Sequence, residues 1–256
     1  MRNTAYDDIK NYITPETVEL YARTNEALVE GGTEIKGIIV ELPGLGGGSC
    51  LGGLPERGTY DTRRALDFAQ KGILLAYIFP GPWSWGGRGT VRITDAVVAA
   101  LAEKYALGEN FPLSVCGGSM GGLGALIYSV DTAYKLSGVV AACPCVDVPS
   151  SFNVHPDFPR TYISAVASYG MSIKAALESI SPIARIDDMQ DVPYFICSDG
   201  DDSLFSPEEC ERLVELMRRG GHEVIYREQP NKLHGEFLPE VRNELHSFLI
   251  KTIIGE

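Results

Sequence analysis

The chain has 256 residues, 45% of them hydrophobic and 22% charged, and its 34 acidic against 22 basic side chains leave a net charge of −12. This describes an ordinary globular protein long enough to bury a large core without disulfides or a structural metal, and it excludes disordered, collagen-like and disulfide-scaffold classes. The negative balance argues against nucleic acid or an anionic membrane surface as a partner.

In chain order, the acidic start through Asp7 and Asp8 carries no apolar run of signal-peptide length, and nowhere is there an apolar stretch fit to span a membrane. The expectation is a cytoplasmic protein with no membrane partner. Residues 1–35 are weakly patterned; the alternation of Val18, Leu20 and Ala22 points to an early edge strand. From there, short runs that read as strands, most of them apolar on both faces as buried parallel strands require, fall at 36–42, 73–79, 113–116, 138–142, 194–197 and 223–227. Helical patterns lie between them at 62–70, 94–105, 121–130, 207–219 and 239–250. The helix from Pro207 is punctuated at both ends: Ser206 as cap, Glu209 completing a capping box, and Arg218, Arg219 and Gly220 closing it. Alternating β and α units predict an α/β protein with a mainly parallel, doubly wound sheet. Residues 145–190 separate two strands by too much chain for a bare loop, so a short helical lid insertion containing a helix near 173–180 is expected. No repeat or linker divides the chain, which reads as a single domain over 1–256.

The most informative segment is Leu113 to Ala125, a strand followed by Gly117-Gly118-Ser119-Met120-Gly121 and a small-residue helix. A serine on a sharp strand-to-helix turn sits in strained backbone, and small neighbours let strand and helix approach while the hydroxyl stays clear of the sheet. Ser119 is therefore the candidate nucleophile. The glycine runs do not fit a nucleotide: neither Gly44/Gly46 nor Gly122/Gly124 completes the dinucleotide spacing, and no Gly-Lys-Ser/Thr occurs. The six cysteines read as reduced thiols, and Cys143 and Cys145 lack two further soft ligands nearby, so neither a metal nor a cofactor is expected.

On these residues the chain resembles the α/β-hydrolase superfamily, whose members carry serine, acid and histidine in that order. Within it, Gly117 to Gly122 and Ser181-Pro182-Ile183-Ala184-Arg185 are similar to the prolyl-oligopeptidase and acylaminoacyl-peptidase catalytic domain and its single-domain esterase relatives. The resemblance covers about residues 36–250 and implies an α/β-hydrolase fold. It places the acid in Ser198 to Pro207, where the family's spacing to the proline selects Asp202, with Asp199 and Asp201 as competitors read as turn or solvated carboxylates. It places the histidine at His234, in the loop after the next strand. His222 and His246 read as structural or solvated, and His155 as a surface residue of the insertion, the alternative for it being a lid position near substrate. The oxyanion donors implied are the Met120 N–H and a second from Pro43 to Gly48, with Leu45 chosen and Gly46 next. Trp83 and Trp85 follow a strand and so fall at the sheet edge where ligands bind, as substrate-pocket candidates; the alternative for both is packing of the lid. Phe152 and Phe158 are weaker candidates.

The expected function is a serine hydrolase cleaving a small-molecule acyl ester through an acyl-enzyme. A peptidase of short peptides or acylated amino acids is the alternative, and a non-catalytic ligand-binding member of the fold the second. An acyltransferase or lyase would use the same three residues.

Overall fold

In the computed structural model, residues 9–45 and 62–255 are described. Seven strands form one sheet: β1 (Ala22–Thr24), β2 (Gly37–Leu42), β3 (Ile73–Ile78), β4 (Leu113–Gly118), β5 (Gly138–Ala142), β6 (Tyr194–Asp199) and β7 (Val224–Gln229). Their order is β1-β3-β2-β4-β5-β6-β7, with β1 antiparallel to β3 and every other pair parallel. The expected early strand exists, but Val18–Leu20 forms a 3-10 turn and pairing begins only at Ala22.

Helices cover both faces because the strand side chains alternate. Ile38, Val40, Leu74, Ala76, Val115, Val139 and Ile196 pack with α2 (Arg88–Lys104), α3 (Met120–Asp131) and α7 (Pro207–Arg219). Their neighbours Ile39, Ile73, Leu75, Val140 and Phe195 pack with α1 (Arg63–Gln70) and α8 (Pro239–Ile254). A period of two along strands that are buried on both sides thus divides one apolar run between two cores.

The interval between β5 and β6 is helical, with α4 (Val148–Ser151), α5 (Phe158–Val166) and α6 (Ile173–Ser179). Its aromatic residues build a third core. Phe158, Tyr162 and Tyr169 meet Trp85, Leu123 at the start of α3, and Phe205. Trp85 is 0% exposed, donates its indole N–H to Thr161 Oγ1 at 3.0 Å and contacts the rings of Phe158 and Tyr162. Among the sequence alternatives for Trp85, packing of the insertion describes it: it offers no surface to a ligand.

Helix ends follow their caps. Ser206 accepts from Glu209 N at 3.3 Å, as the sequence indicates, but the Glu209 carboxylate takes the Ser150 hydroxyl of the insertion instead of returning to the cap. The second helix starts at Arg88, ahead of the expected Thr94, because Gly87 caps it and its first turn is written in residues that do not read as helical, Gly89, Thr90 and Val91. Among the described residues no helix is long and apolar enough to cross a membrane.

Candidate active site

Three loops at the C-terminal ends of strands β4, β6 and β7 meet at one point. The first is the turn from β4 into α3, where Ser119 has φ 57° and ψ −122°, a backbone geometry that L-residues adopt only under constraint. The constraint is visible in the glycines. A Cβ on Gly121 would stand 2.2 Å from Leu42 O, and one on Gly117 would stand 2.3 Å from Gly121 O, so helix and strands approach at distances only glycine permits. Ser119 N donates to Ala142 O at 2.9 Å, tying the turn to the end of β5.

The second loop follows β6. Asp202 Oδ1 accepts from Leu204 N at 2.8 Å and Phe205 N at 3.1 Å, which pins the carboxylate with Oδ2 facing outward from its own turn. The third follows β7 and carries His234. Its Nδ1–H donates to Asp202 Oδ2 at 2.7 Å, and its Nε2 lies 2.8 Å from Ser119 Oγ, positioned to accept the hydroxyl proton. The Asp202 side chain is 1% exposed and that of His234 20%, so the acid is shielded while the imidazole remains accessible. Phe205 lies edge-on to the imidazole with ring centroids 5.4 Å apart.

The structure therefore brings together Ser119, Asp202 and His234. Met120 begins α3 directly after Ser119, and the turn at Pro43 to Leu45 lies alongside, since a Cβ on Gly44 would be 3.7 Å from Ser119 Cβ. Gly46, the second choice for the oxyanion donor, lies outside the described residues. Trp83 is 39% exposed, with the Arg160 guanidinium 5.6 Å over its ring. It borders a cleft of about 310 Å³ shared by Pro80, Ser84, Thr90, Ala165 and Ser168. Ser84 Oγ is 3.8 Å from Met120 Sδ, which links this cleft to the residue after Ser119. Phe158 is buried in the insertion core and Phe152 stacks on Tyr162. The other histidines stay apart: His155 Nδ1 accepts from Asp157 N, His222 faces Ile186 O, and His246 pairs with Asp67 and lies against Phe68.

Asp199 overturns its expectation as a turn or solvated carboxylate. It is the last residue of β6 and 1% exposed. Burial pushes its carboxyl above the usual range, opposed by a hydrogen bond from Gly235 N and one from the Cys143 thiol. Cys143, Asp199 and His234 together offer a thiol, a carboxylate and an imidazole within 4.8 Å of one another, a donor set that suits zinc. Hydrogen bonds already engage both Asp199 oxygens and both His234 nitrogens, and burial drives the Cys143 thiol well above its ordinary pKa, away from the thiolate a metal needs.

A strained serine after a central parallel strand, with acid and histidine loops after later strands of the same sheet, defines the α/β-hydrolase fold. Solved structures agree on that fold. A puromycin hydrolase superposes with a TM-score of 0.67 at 21% identity, covering 88% of this chain and 34% of its own. Pyrococcus horikoshii acylaminoacyl peptidase gives 0.67 at 12% identity, covering 87% and 37%. Esterase B from Lactobacillus rhamnosis gives 0.60 at 12% identity, covering 87% and 76%. The chain thus spans about a third of the length of the first two. No curated protein matches the sequence. Residues 84–251, more than half of the chain, match the prolyl oligopeptidase family, and the chain belongs to that family. Membership places it among serine hydrolases of the peptidase and esterase type.

Proposed function

We propose that the protein hydrolyses a small-molecule acyl ester through a covalent intermediate on Ser119. The observation that carries this reading is the unbroken chain of two hydrogen bonds, Ser119 Oγ to His234 Nε2 at 2.8 Å and His234 Nδ1 to Asp202 Oδ2 at 2.7 Å. In this reading Ser119 Oγ attacks the carbonyl carbon while His234 Nε2 takes its proton. His234 then returns that proton to the leaving alkoxide as the C–O bond breaks. Water, deprotonated by the same nitrogen, attacks the acyl-serine, and as the acyl C–Oγ bond breaks His234 returns that proton to Ser119 Oγ, freeing the acid and restoring the enzyme. Asp202 holds the tautomer that leaves Nε2 unprotonated and stabilises the imidazolium that forms. The N–H groups of Met120 and Leu45 are assigned to the oxyanion, because the first opens a helix beside Ser119 and the second belongs to the turn that flanks it. Trp83 and the cleft it borders are assigned to substrate.

Family membership and the likeness to a puromycin hydrolase and an acylaminoacyl peptidase favour a second reading, cleavage of an amide in a short peptide or acylated amino acid. The two are separated by comparing kcat/KM on a series of p-nitrophenyl acyl esters with that on N-acylated and free aminoacyl anilides, using Ser119→Ala as the blank. Ester turnover with anilide turnover at the blank level supports the esterase reading; the reverse ranking replaces it with the peptidase reading. Neither metal, cofactor, nucleic acid nor membrane enters the proposed reaction. A cytoplasmic location belongs to the same proposal, supported by the five cysteines among the described residues, all buried and free.

A further inference from the structure

The loop that carries His234 is itself held by a buried polar pair that takes no direct part in the chain of proton transfer. Asp199 and Gln229 are the final residues of β6 and β7, directly opposite one another in the parallel register, and they are 1% and 0% exposed. Gln229 Oε1 accepts from Leu238 N at 2.8 Å, which fixes the orientation of its amide. Its Nε2 therefore points the other way, donating to Asp199 Oδ1 at 2.7 Å and, at 3.3 Å, to Glu236 O. The second Asp199 oxygen accepts from Gly235 N at 2.8 Å, the peptide next to His234. Three anchors, at Gly235, Glu236 and Leu238, thus run from one buried carboxylate and one buried amide to the histidine loop. The same carboxylate residue begins the acid loop, whose Asp202 N donates to Asp199 O at 3.2 Å.

Resting on the triad reading above, we infer that Asp199, with Gln229, is a positioning residue that sets His234 between Ser119 and Asp202. The chemistry demands an acid at this place. Both Asp199 oxygens face N–H donors, and the Gln229 amide cannot turn over without presenting N–H to the N–H of Leu238. An asparagine side chain here would satisfy one donor and confront the other with a second N–H, leaving buried polar groups unpaired. The loop would relax, and the imidazole with it. A buried carboxylate costs desolvation, and here that cost is spent on geometry at the histidine.

The test is Asp199→Asn, measured as kcat and KM on an acyl ester the wild type turns over, beside circular dichroism and the rate of fluorophosphonate labelling. The expected result is a native spectrum, KM within about twofold, and kcat and the labelling rate lowered by about 10²-fold, the scale of a 1 Å misplacement. The decisive readout is rescue by Asp199→Asn combined with Gln229→Glu. The double substitution reverses the shared hydrogen bond, the amide now on β6 donating to the carboxylate now on β7, while Gly235 N and Leu238 N keep their acceptors; at Glu236 O an acceptor replaces the donor 3.3 Å away, and the Cys143 thiol meets an amide in place of the carboxylate, so the rescue is partial. Recovery of at least about tenfold in kcat supports positioning. Should Asp199→Asn fail to fold, Gln229→Met, which leaves the Gly235 bond intact, carries the test with the same expected split between kcat and KM. Wild-type kcat in a folded Asp199→Asn or Gln229→Met protein overturns the inference, as does a loss confined to KM or thermal stability. If the wild type itself neither labels nor turns over, the hydrolase reading has failed instead.

Discussion

The approach of α3 to β2 at Gly121 gives a prediction in which stability and catalysis are coupled through one methyl group. In Gly121→Ala the new Cβ would lie 2.2 Å from Leu42 O, 2.8 Å from Leu42 C and 2.9 Å from Pro43 O, all backbone atoms that no rotamer change can move. Ordinary contact begins at 3.4 Å, so the start of α3 must withdraw from β2 by about 1 Å. Overpacking of this kind costs about 1–3 kcal/mol, and the better helix propensity of alanine returns at most about 1 kcal/mol. The net loss of about 1–2 kcal/mol should lower Tm by roughly 2–8 °C in a chain of this size. Ser119 sits two residues before the clash and Pro43 to Leu45 directly beyond it, so the same shift separates the hydroxyl from His234 Nε2, now 2.8 Å away, and from the proposed oxyanion turn. Turnover of an acyl ester should fall by about 10²-fold. Gly108→Ala, where the added Cβ meets nothing within 4 Å, is the control and should change Tm little. A Gly121→Ala protein with unchanged Tm and kcat would refute the claim that this contact sets the serine.

Four further outcomes follow from the same geometry. Ser119→Ala and His234→Ala should each reduce kcat by about 10⁶-fold and Asp202→Ala by about 10⁴-fold, with the Ser119/His234 double variant scarcely below either single one in ester assays; additive losses would mean that the three do not act as a unit. Trp85→Ala should cost about 3–5 kcal/mol by urea denaturation and Trp85→Phe less, because the indole fills the insertion core and bonds Thr161; a change below about 1 kcal/mol would contradict that role. Glu26 is pushed up by desolvation but more than offset by hydrogen bonds from Lys104 and Tyr105 and by the Lys104 charge, so its carboxyl is lowered from 4.5. Its contribution to stability is complete above pH 4.5 and is lost as pH falls through the lowered value, so Glu26→Gln should flatten the acid limb of a stability–pH curve; an identical limb would exclude the pair. Treatment with EDTA should leave turnover unchanged, and a loss restored by zinc would make Cys143, Asp199 and His234 a metal site.

The parallel sheet was legible because the central strands are mostly apolar, broken only by single polar residues such as Glu41 in β2 and Ser114 in β4, and the loops bearing Ser119, Asp202 and His234 were legible because each closely follows a strand. What escaped was set by partners distant in sequence. The polar end of β6, Ser198 and Asp199, reads as turn, yet it continues as strand because it pairs with the equally polar Glu228 and Gln229 at the end of β7. Asn25 was invisible for the same reason: a lone polar residue in a weak N-terminal pattern, it is buried and bonds Ala65 O, Ile73 O and Leu75 N, binding the chain after β1 to α1 and β3. Trp85 follows a strand just as a pocket residue would, and only the aromatic residues of α5, more than seventy positions later, turn it inward. Local pattern names the elements and the reactive groups; burial of a polar or aromatic residue depends on which other element arrives to cover it.

The central claim is that His234 and Asp202 activate the Ser119 hydroxyl. The most direct measurement is reaction of the folded protein with a fluorophosphonate, followed by peptide mapping of the adduct by mass spectrometry, with Ser119→Ala and His234→Ala alongside. A single phosphonylated residue, Ser119, in the wild type, with no adduct in Ser119→Ala and a greatly slowed one in His234→Ala, is the predicted result. A folded wild type that stays unlabelled, or that is labelled at another residue, would contradict it.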